Sequence, residues 1–412
     1  MDYIVLAIPV FFLLIGVELV VARVQRRSVY RASDSLADLS CGVIEQLFAV
    51  FAKTALFAGY LFVYDRLRLF EVPAGSPAVW ALGFVGVDFC YYWFHRLSHE
   101  VGAFWAAHVV HHSSEEYNLS VALRQSSFQM LFAWMFYLPL ALLGLPPAVF
   151  LGLTAFNTLY QFWIHTRTIG RLGPFEWVFN TPSHHRVHHA RNPKYIDRNH
   201  GGTFIVWDRL FGTFAREEEE PVYGITTPLR TWNPLWANLH YWVELGRTAR
   251  RATRFSDRLR VFLKPPGWRP DELGGLQRPP EVDRATYSKF DTPAPSGLSA
   301  YACAQFALVL LAASALLFGQ ARLSRATLAA GALAITASTV SVTALFERRR
   351  WALRLELLRH CAAGVGALAW LAPAVFGAPP VALAASTAVA LASLGAAAWL
   401  LRYRALFVAA GA

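Results

Sequence analysis

Stretches of about 20 apolar residues, the length a helix needs to cross a bilayer, recur along this chain and limit its fold more than any other feature. Tyr3 to Ala22 is the first, and Leu36 to Tyr64 is a longer one that carries Asp38, Glu45 and Lys53 near helical spacing. Pro77 to Phe94 follows, and Phe128 to Ile164 reads as two short spans turned by Gly144-Leu145-Pro146-Pro147. Tyr301 to Gly319, Ala326 to Phe346, Cys361 to Ala378 and Val381 to Leu401 close the series. Hydrophobic residues make up 55% of the chain and charged residues 16%, with mean hydropathy +0.35, so a multi-pass integral membrane protein of the all-α class is predicted.

Charge sets the orientation. The net charge of +11 resides in arginines at the ends of apolar runs, which marks the cytoplasmic side and argues against nucleic-acid binding. Arg23, Arg26 and Arg27 after the first run, and Arg348, Arg349, Arg350, Arg354 and Arg359 between two later ones, are consistent with an N-terminus outside and a retained first anchor. On that topology the sequon Asn118-Leu119-Ser120 faces the cytoplasm and stays unmodified. Cys41, Cys90, Cys303 and Cys361 form no CxxC pair and read as packing residues.

Three units are expected: a membrane domain with a cytoplasmic helical cap over residues 1–235, a cytoplasmic linker over 236–297 and a C-terminal four-span module over 298–412. Glu217 to Glu220 reads as a solvated charge run and Lys264 to Pro295 as the Pro- and Gly-rich part of the linker.

Chemistry is concentrated in the histidines, 13 in all. His95 and His99 stand at i, i+4 and thus on one helical face, and His108, His111 and His112 follow at i, i+3, i+4. His185, His188 and His189 repeat that second spacing, after a helix entry read at Pro182 and Ser183 and before a helix break at Gly201-Gly202. His165, at the end of the apolar hairpin, is a further ligand candidate with Gln161 one turn before it, whereas His240 and His360 read as ordinary packing or surface residues. Imidazole suits iron, copper and zinc alike, and so many ring donors exceed what one ion takes, so a two-metal site is expected on the cytoplasmic face. Asp88, two helical turns before His95, reads either as a partner for the second nitrogen of a ligating ring or as half of an ion pair with an arginine.

The sequences YYWFHRLSHE from Tyr91, HVVHHSSEEYNLSVALRQS from His108, NTPSHHRVHHARN from Asn180 and WDRLFGTF from Trp207 resemble the fatty acid hydroxylase and sterol desaturase superfamily of membrane di-iron enzymes, and more narrowly its glyceryl-ether-oxidising branch. The resemblance covers roughly residues 30–235. It implies two iron ions held by His95, His99, His108, His111, His112, His185, His188 and His189, with His165 added by its position. It further implies a lipid substrate entering from the bilayer, molecular oxygen, tetrahydrobiopterin and an external electron donor. The expected reaction is hydroxylation of the carbon next to an ether oxygen, giving a fatty aldehyde. Glu100, beside His99, becomes the candidate acid near the pterin or the metal; whether Gln161 or His184 touches a metal stays open, as does the oligomeric state.

Three other readings share part of this pattern. A sterol, fatty acyl or carotenoid hydroxylase or desaturase fed by ferredoxin or cytochrome would use the same histidines. A zinc hydrolase needs only three of them and a water. A metal transporter would place its ligands at mid-membrane in broken helices and not at helix ends on one side.

Overall fold

A computed structural model describes residues 3–374 and 380–409. It is helical throughout, with isolated bridges Phe179–Phe204 and Ala190–Tyr223 as the β pairing among the described residues. The chain divides into two compact units, Met1–Phe290 and Asp291–Ala412.

In the first unit, α1 (Tyr3–Val24) and α2 (Ala32–Leu67) are long and apolar enough to cross a membrane. Leu13, Val17 and Val20 of α1 point outward while Glu18 is buried, and its carboxylate accepts from the Leu119 amide and the Tyr30 and Thr166 hydroxyls. An acid inside an apolar helix is tolerated only when satisfied in this way. Asp38 of α2 is likewise buried and pairs with Arg124, 3.1 Å away, and with Ser120.

Helix α3 (Pro77–Glu100) starts with proline in its first turn, where no amide is needed, and runs without a break through both His95 and His99. At about 1.5 Å per residue it sets His95 about 27 Å from Pro77. α4 (Gly102–His112) turns back at Val101 and carries the second histidine cluster; the one-turn α5 (Leu119–Ala122) follows, capped by the Asn118 side chain. Asn118 is fully buried and also donates to Val29 O, so its environment as well as the expected topology precludes glycosylation.

The expected hairpin over 128–164 is partly redrawn. Its first half is two short helices, α6 (Met130–Phe136) and α7 (Leu138–Leu142), because Pro139 removes an amide and its ring crowds the preceding turn. Its second half is one helix, α8 (Pro147–Trp163). The turn joining the halves meets the turn after α2, where the Leu69 amide donates to Leu142 O. Both lie at the end of the helices remote from the histidines.

Beyond α8 the chain forms a cap around α9 (Pro182–His188) and α10 (Val206–Leu210). The helix cap lies two residues earlier than predicted, at Thr181 and not Ser183, and the helix ends at His188, well before Gly201-Gly202. Those glycines serve close packing instead: a Cβ on Gly202 would stand 2.8 Å from Asp88 Oδ1 and 2.9 Å from Asn157 Oδ1. The acidic run is not a free solvated face either. Glu217 holds Arg186 of α9 through two contacts of 2.7 Å, and Glu219 accepts from Asn192.

Residues 236–297, expected as a linker, are largely built into the first unit. α11 (Pro234–Arg251) and α12 (Phe255–Leu263) pack Leu245 and Val261 on Ala106 of α4. Farther on, Tyr287 and the Phe290 amide donate to Glu115, and Lys289 and Arg31 flank Glu116, so the strand-like end of this segment straps the turn after the second histidine cluster.

The second unit contains α13 (Ser296–Gly319), α14 (Arg325–Phe346), α15 (Arg350–Ala374), α16 (Pro380–Leu400) and the short α17 (Arg404–Ala409). The end of the expected span Cys361 to Ala378 lies outside the described residues. Within this unit Glu356 is buried and held by Tyr301, Ser341 and Arg359, and His360 meets the Tyr301 hydroxyl at 2.5 Å, so it is a satisfied packing histidine as predicted. Among the described residues five helices, α1, α2, α13, α14 and part of α16 with its extension, are long and apolar enough to cross a bilayer.

Candidate metal centre

Nine histidines converge on two adjoining points, all of them buried. His95, His99, His108, His112 and His188 form one group and His111, His165, His185 and His189 the other, the candidate ligand atoms of each lying within 4.8 Å of one another. α3 gives two rings to the first group, α4 gives rings to both, and α9 with its C-cap His189 gives rings to both. The i, i+3, i+4 spacing lets one short helix serve two neighbouring ions at once.

The rings are held so that their lone pairs face inward. His95 Nδ1 donates to His200 O at 2.7 Å, His111 Nδ1 to Arg124 O at 3.0 Å, His165 Nδ1 to Gln161 O at 2.7 Å and His188 Nδ1 to Arg198 O at 2.9 Å. His108 Nδ1 donates to the Gln129 amide oxygen at 2.8 Å. A carbonyl oxygen only accepts, so each of these rings carries its proton on Nδ1 and is unprotonated at Nε2.

Yet those bare nitrogens approach each other. His95 Nε2 and His108 Nε2 are 3.1 Å apart, and His111 Nε2 and His165 Nε2 are 3.2 Å apart. Two lone pairs repel at this range unless a cation lies between them. A proton is disfavoured, because burial drives the pKa of His111, His112, His185, His188 and His189 well below the usual imidazole value, with neighbouring rings adding to the effect, and that of His108 down to about 4. Two imidazoles bound to one ion at about 2.1 Å and at right angles have nitrogens about 3.0 Å apart, close to what is seen. His99 Nε2, His188 Nε2 and His189 Nε2 are buried with no hydrogen-bond partner, which also fits a metal.

Ring contacts describe the shape of each group. In the first, His99 meets His95, His108, His112 and His188, while His95 with His112 and His108 with His188 are the pairs that do not touch. That is a square pyramid with His99 at the apex. In the second, His165 and His189 touch each other and both His111 and His185, which stand opposite one another. Five rings would thus be available to an ion at one point and four at the other.

The remaining candidates fall outside these groups. Gln161 turns its amide to Asn157 Oδ1, 2.5 Å away, and reaches the centre only through its main-chain carbonyl on His165. His184 packs on Phe214. Glu100 is partly exposed and pairs with Arg96 at 2.9 Å. Asp88 fits neither reading proposed for it: its two oxygens accept from the Thr203 and Phe204 amides, Trp207 Nε1 and Asn157 Nδ2, fastening the cap to α3.

Sequence reasoning missed His200 and Gln129. His200 is fully buried against His95, His99 and His188, and its carbonyl orients His95. Its nearness to the third cluster was the only available signal, because no spacing rule covers a loop.

A helical membrane protein with two adjoining histidine-lined metal points defines the class of membrane-bound oxygenases, and the comparisons with known proteins agree. The family model for fatty acid hydroxylases matches residues 80–213. Alkylglycerol monooxygenase of Xenopus tropicalis is 42% identical over 360 residues, covering 87% of this chain and 80% of the relative; that of Homo sapiens is 42% identical over 361 residues, covering 87% and 81%. The ornithine lipid hydroxylase OlsE of Rhizobium tropici is 35% identical over 134 residues, 32% of this chain and 40% of that one. No solved structure matches. The chain belongs to the alkylglycerol monooxygenase family and is an oxygen-dependent monooxygenase.

Proposed function

We propose that this protein cleaves glyceryl ether lipids by inserting one oxygen atom into the C–H bond next to the ether oxygen. The second atom of O2 leaves as water with two electrons and two protons, the electrons coming from an external donor for which tetrahydrobiopterin is the candidate. The resulting hemiacetal collapses to a fatty aldehyde and glycerol or its derivative. The observation that carries this reading is the identity to alkylglycerol monooxygenases across 87% of the chain, well beyond the hydroxylase segment at 80–213.

The residues support the chemistry. Two iron ions held by His95, His99, His108, His112 and His188 and by His111, His165, His185 and His189 would supply the activation of oxygen that an unactivated C–H bond demands and no side chain provides. Burial keeps the imidazoles neutral and ready to bind, and carbonyl acceptors fix their tautomers. Ions held by five and four rings would keep room for exogenous ligands, as catalytic metal sites require. A site at the ends of apolar helices, on the cytoplasmic face, lets a lipid chain enter from the bilayer while water is kept out.

Membranes holding the protein, incubated with an alkylglycerol, oxygen and tetrahydrobiopterin, should release fatty aldehyde. Oxidation of another lipid under ferredoxin or cytochrome electrons, with none from the alkylglycerol, would overturn the substrate and donor assignments.

A further inference from the structure

The loop from Asp197 to His200 wraps one face of the first histidine group. Arg198 O holds His188 Nδ1 at 2.9 Å and His200 O holds His95 Nδ1 at 2.7 Å. Between and beside them, Asp197 Oδ1 lies 3.7 Å from Nδ1 of His99, the ring at the apex of the same pyramid. Two ring partners and a carboxylate beside a third ring of the same group thus come from four residues of chain.

That path is strained and firmly anchored. Asp197 and Asn199 have φ of +57° and +58°, a left-handed conformation that non-glycine residues seldom adopt. Asn199 is fixed by its amide to His184 O and Ala215 O, and the amides of His200 and Gly201 donate to Asp208 at 2.7 and 2.8 Å. Such backbone conformations persist where the surroundings enforce them, and they gather at functional sites.

We infer that Asp197 is a positioning residue for the first metal, the carboxylate partner of His99 Nδ1. This rests on the reading of the nine imidazoles as a two-metal site. Among the Nδ1 partners described, Asp197 is the one that carries a charge. A carboxylate on the far nitrogen makes an imidazole a stronger donor than a carbonyl does, so His99 binds its ion more tightly than its neighbours in the square do. The separation exceeds a hydrogen bond by about 0.5 Å, a gap that a small rotation of the half-exposed Asp197 side chain closes.

The test uses the full chain in detergent or nanodiscs, loaded with ⁵⁷Fe(II) or Co(II), as wild type, Asp197→Asn, Asp197→Gly and Lys194→Ala. Asparagine and glycine both accept the left-handed backbone, so either variant removes the charge without disturbing the path. Lys194→Ala removes an exposed charge three residues earlier in the cap and is the control. Expected are two metals in every protein, a changed Mössbauer or visible signature for one of the two ions in both Asp197 variants, and loss of that ion to chelator about 10–100-fold faster. Wild-type behaviour in both Asp197 variants overturns the inference, and so does an equal effect of Lys194→Ala or equal loosening of both ions. A wild type without a metal pair overturns the two-metal reading itself.

Discussion

Trp207 Nε1 donates to Asp88 Oδ2 across 2.9 Å, tying the cap to the middle of helix α3. The same carboxylate accepts from Thr203 N and Asn157 Nδ2 at 2.6 Å each and from Phe204 N at 3.1 Å, so one buried acid joins α3, α8 and the cap loop. Asp88→Ala would strand these donors in a dry interior and should destabilise the first unit by about 3 kcal/mol or more, read as a drop in unfolding temperature in detergent. An unchanged midpoint would mean that the cap is held elsewhere.

Gly202→Ala should have a similar effect by a different route. Its methyl group would stand 2.8 Å from both Asp88 Oδ1 and Tyr91 Cδ1, closer than carbon packs, and neither neighbour is free to retreat. Loss of about 1–3 kcal/mol is expected from overpacking of this kind. Wild-type stability and metal content in the variant would show that the loop yields.

Metal analysis of protein prepared without chelator should give two iron atoms per chain. His111→Ala and His188→Ala each remove a ring from a different group and should abolish turnover. One metal per fully active chain would refute the dinuclear reading.

Glu100 is the residue whose part is least constrained by geometry, since its carboxylate pairs with Arg96 and not with either histidine group. On the proposal that it serves as an acid beside a bound pterin or the metal, it should matter for catalysis and not for iron binding. Glu100→Gln is expected to retain both irons and lower turnover at least tenfold, about 1.4 kcal/mol in the barrier. Normal turnover with full iron would make it a surface ion pair.

Orientation can be read by labelling. Lys194 in the cap and Glu71 in the turn after α2 are both exposed and lie toward opposite ends of the membrane helices. Cysteines at these positions should react from the cytoplasmic and the outer side respectively. The reverse pattern would invert the topology.

The histidines were legible because helical periodicity alone fixes which of them share a face; every ring proposed from spacing, including His165 after the hairpin, arrives in one of the two groups. Spacing says nothing about loops, so the outer partners Asp197, His200 and Gln129 were not visible. Asp88 was singled out correctly as a buried carboxylate on the α3 face, but its partners are two main-chain amides and two side chains at least 69 residues away, which no local pattern encodes. The linker and the acidic run were misjudged for a related reason. Polar composition reports that a segment tolerates water, whereas α11, α12 and Glu217 are held by partners distant in sequence.

Four of the rings are aligned by main-chain carbonyls, of Arg124, Gln161, Arg198 and His200. A carbonyl is present whatever residue bears it, so the alignment of these rings depends on the course of the backbone and not on the identity of the side chains along it. Ring alignment is therefore indifferent to the side chains at Gln161 and Arg198, provided the backbone that carries them keeps its course, whereas Arg124 is also required by the buried Asp38 and His200 by the rings it packs on. Insertions or deletions between Pro193 and Thr203 should be far less tolerated than substitutions there, because a shift of one residue would withdraw two acceptors together.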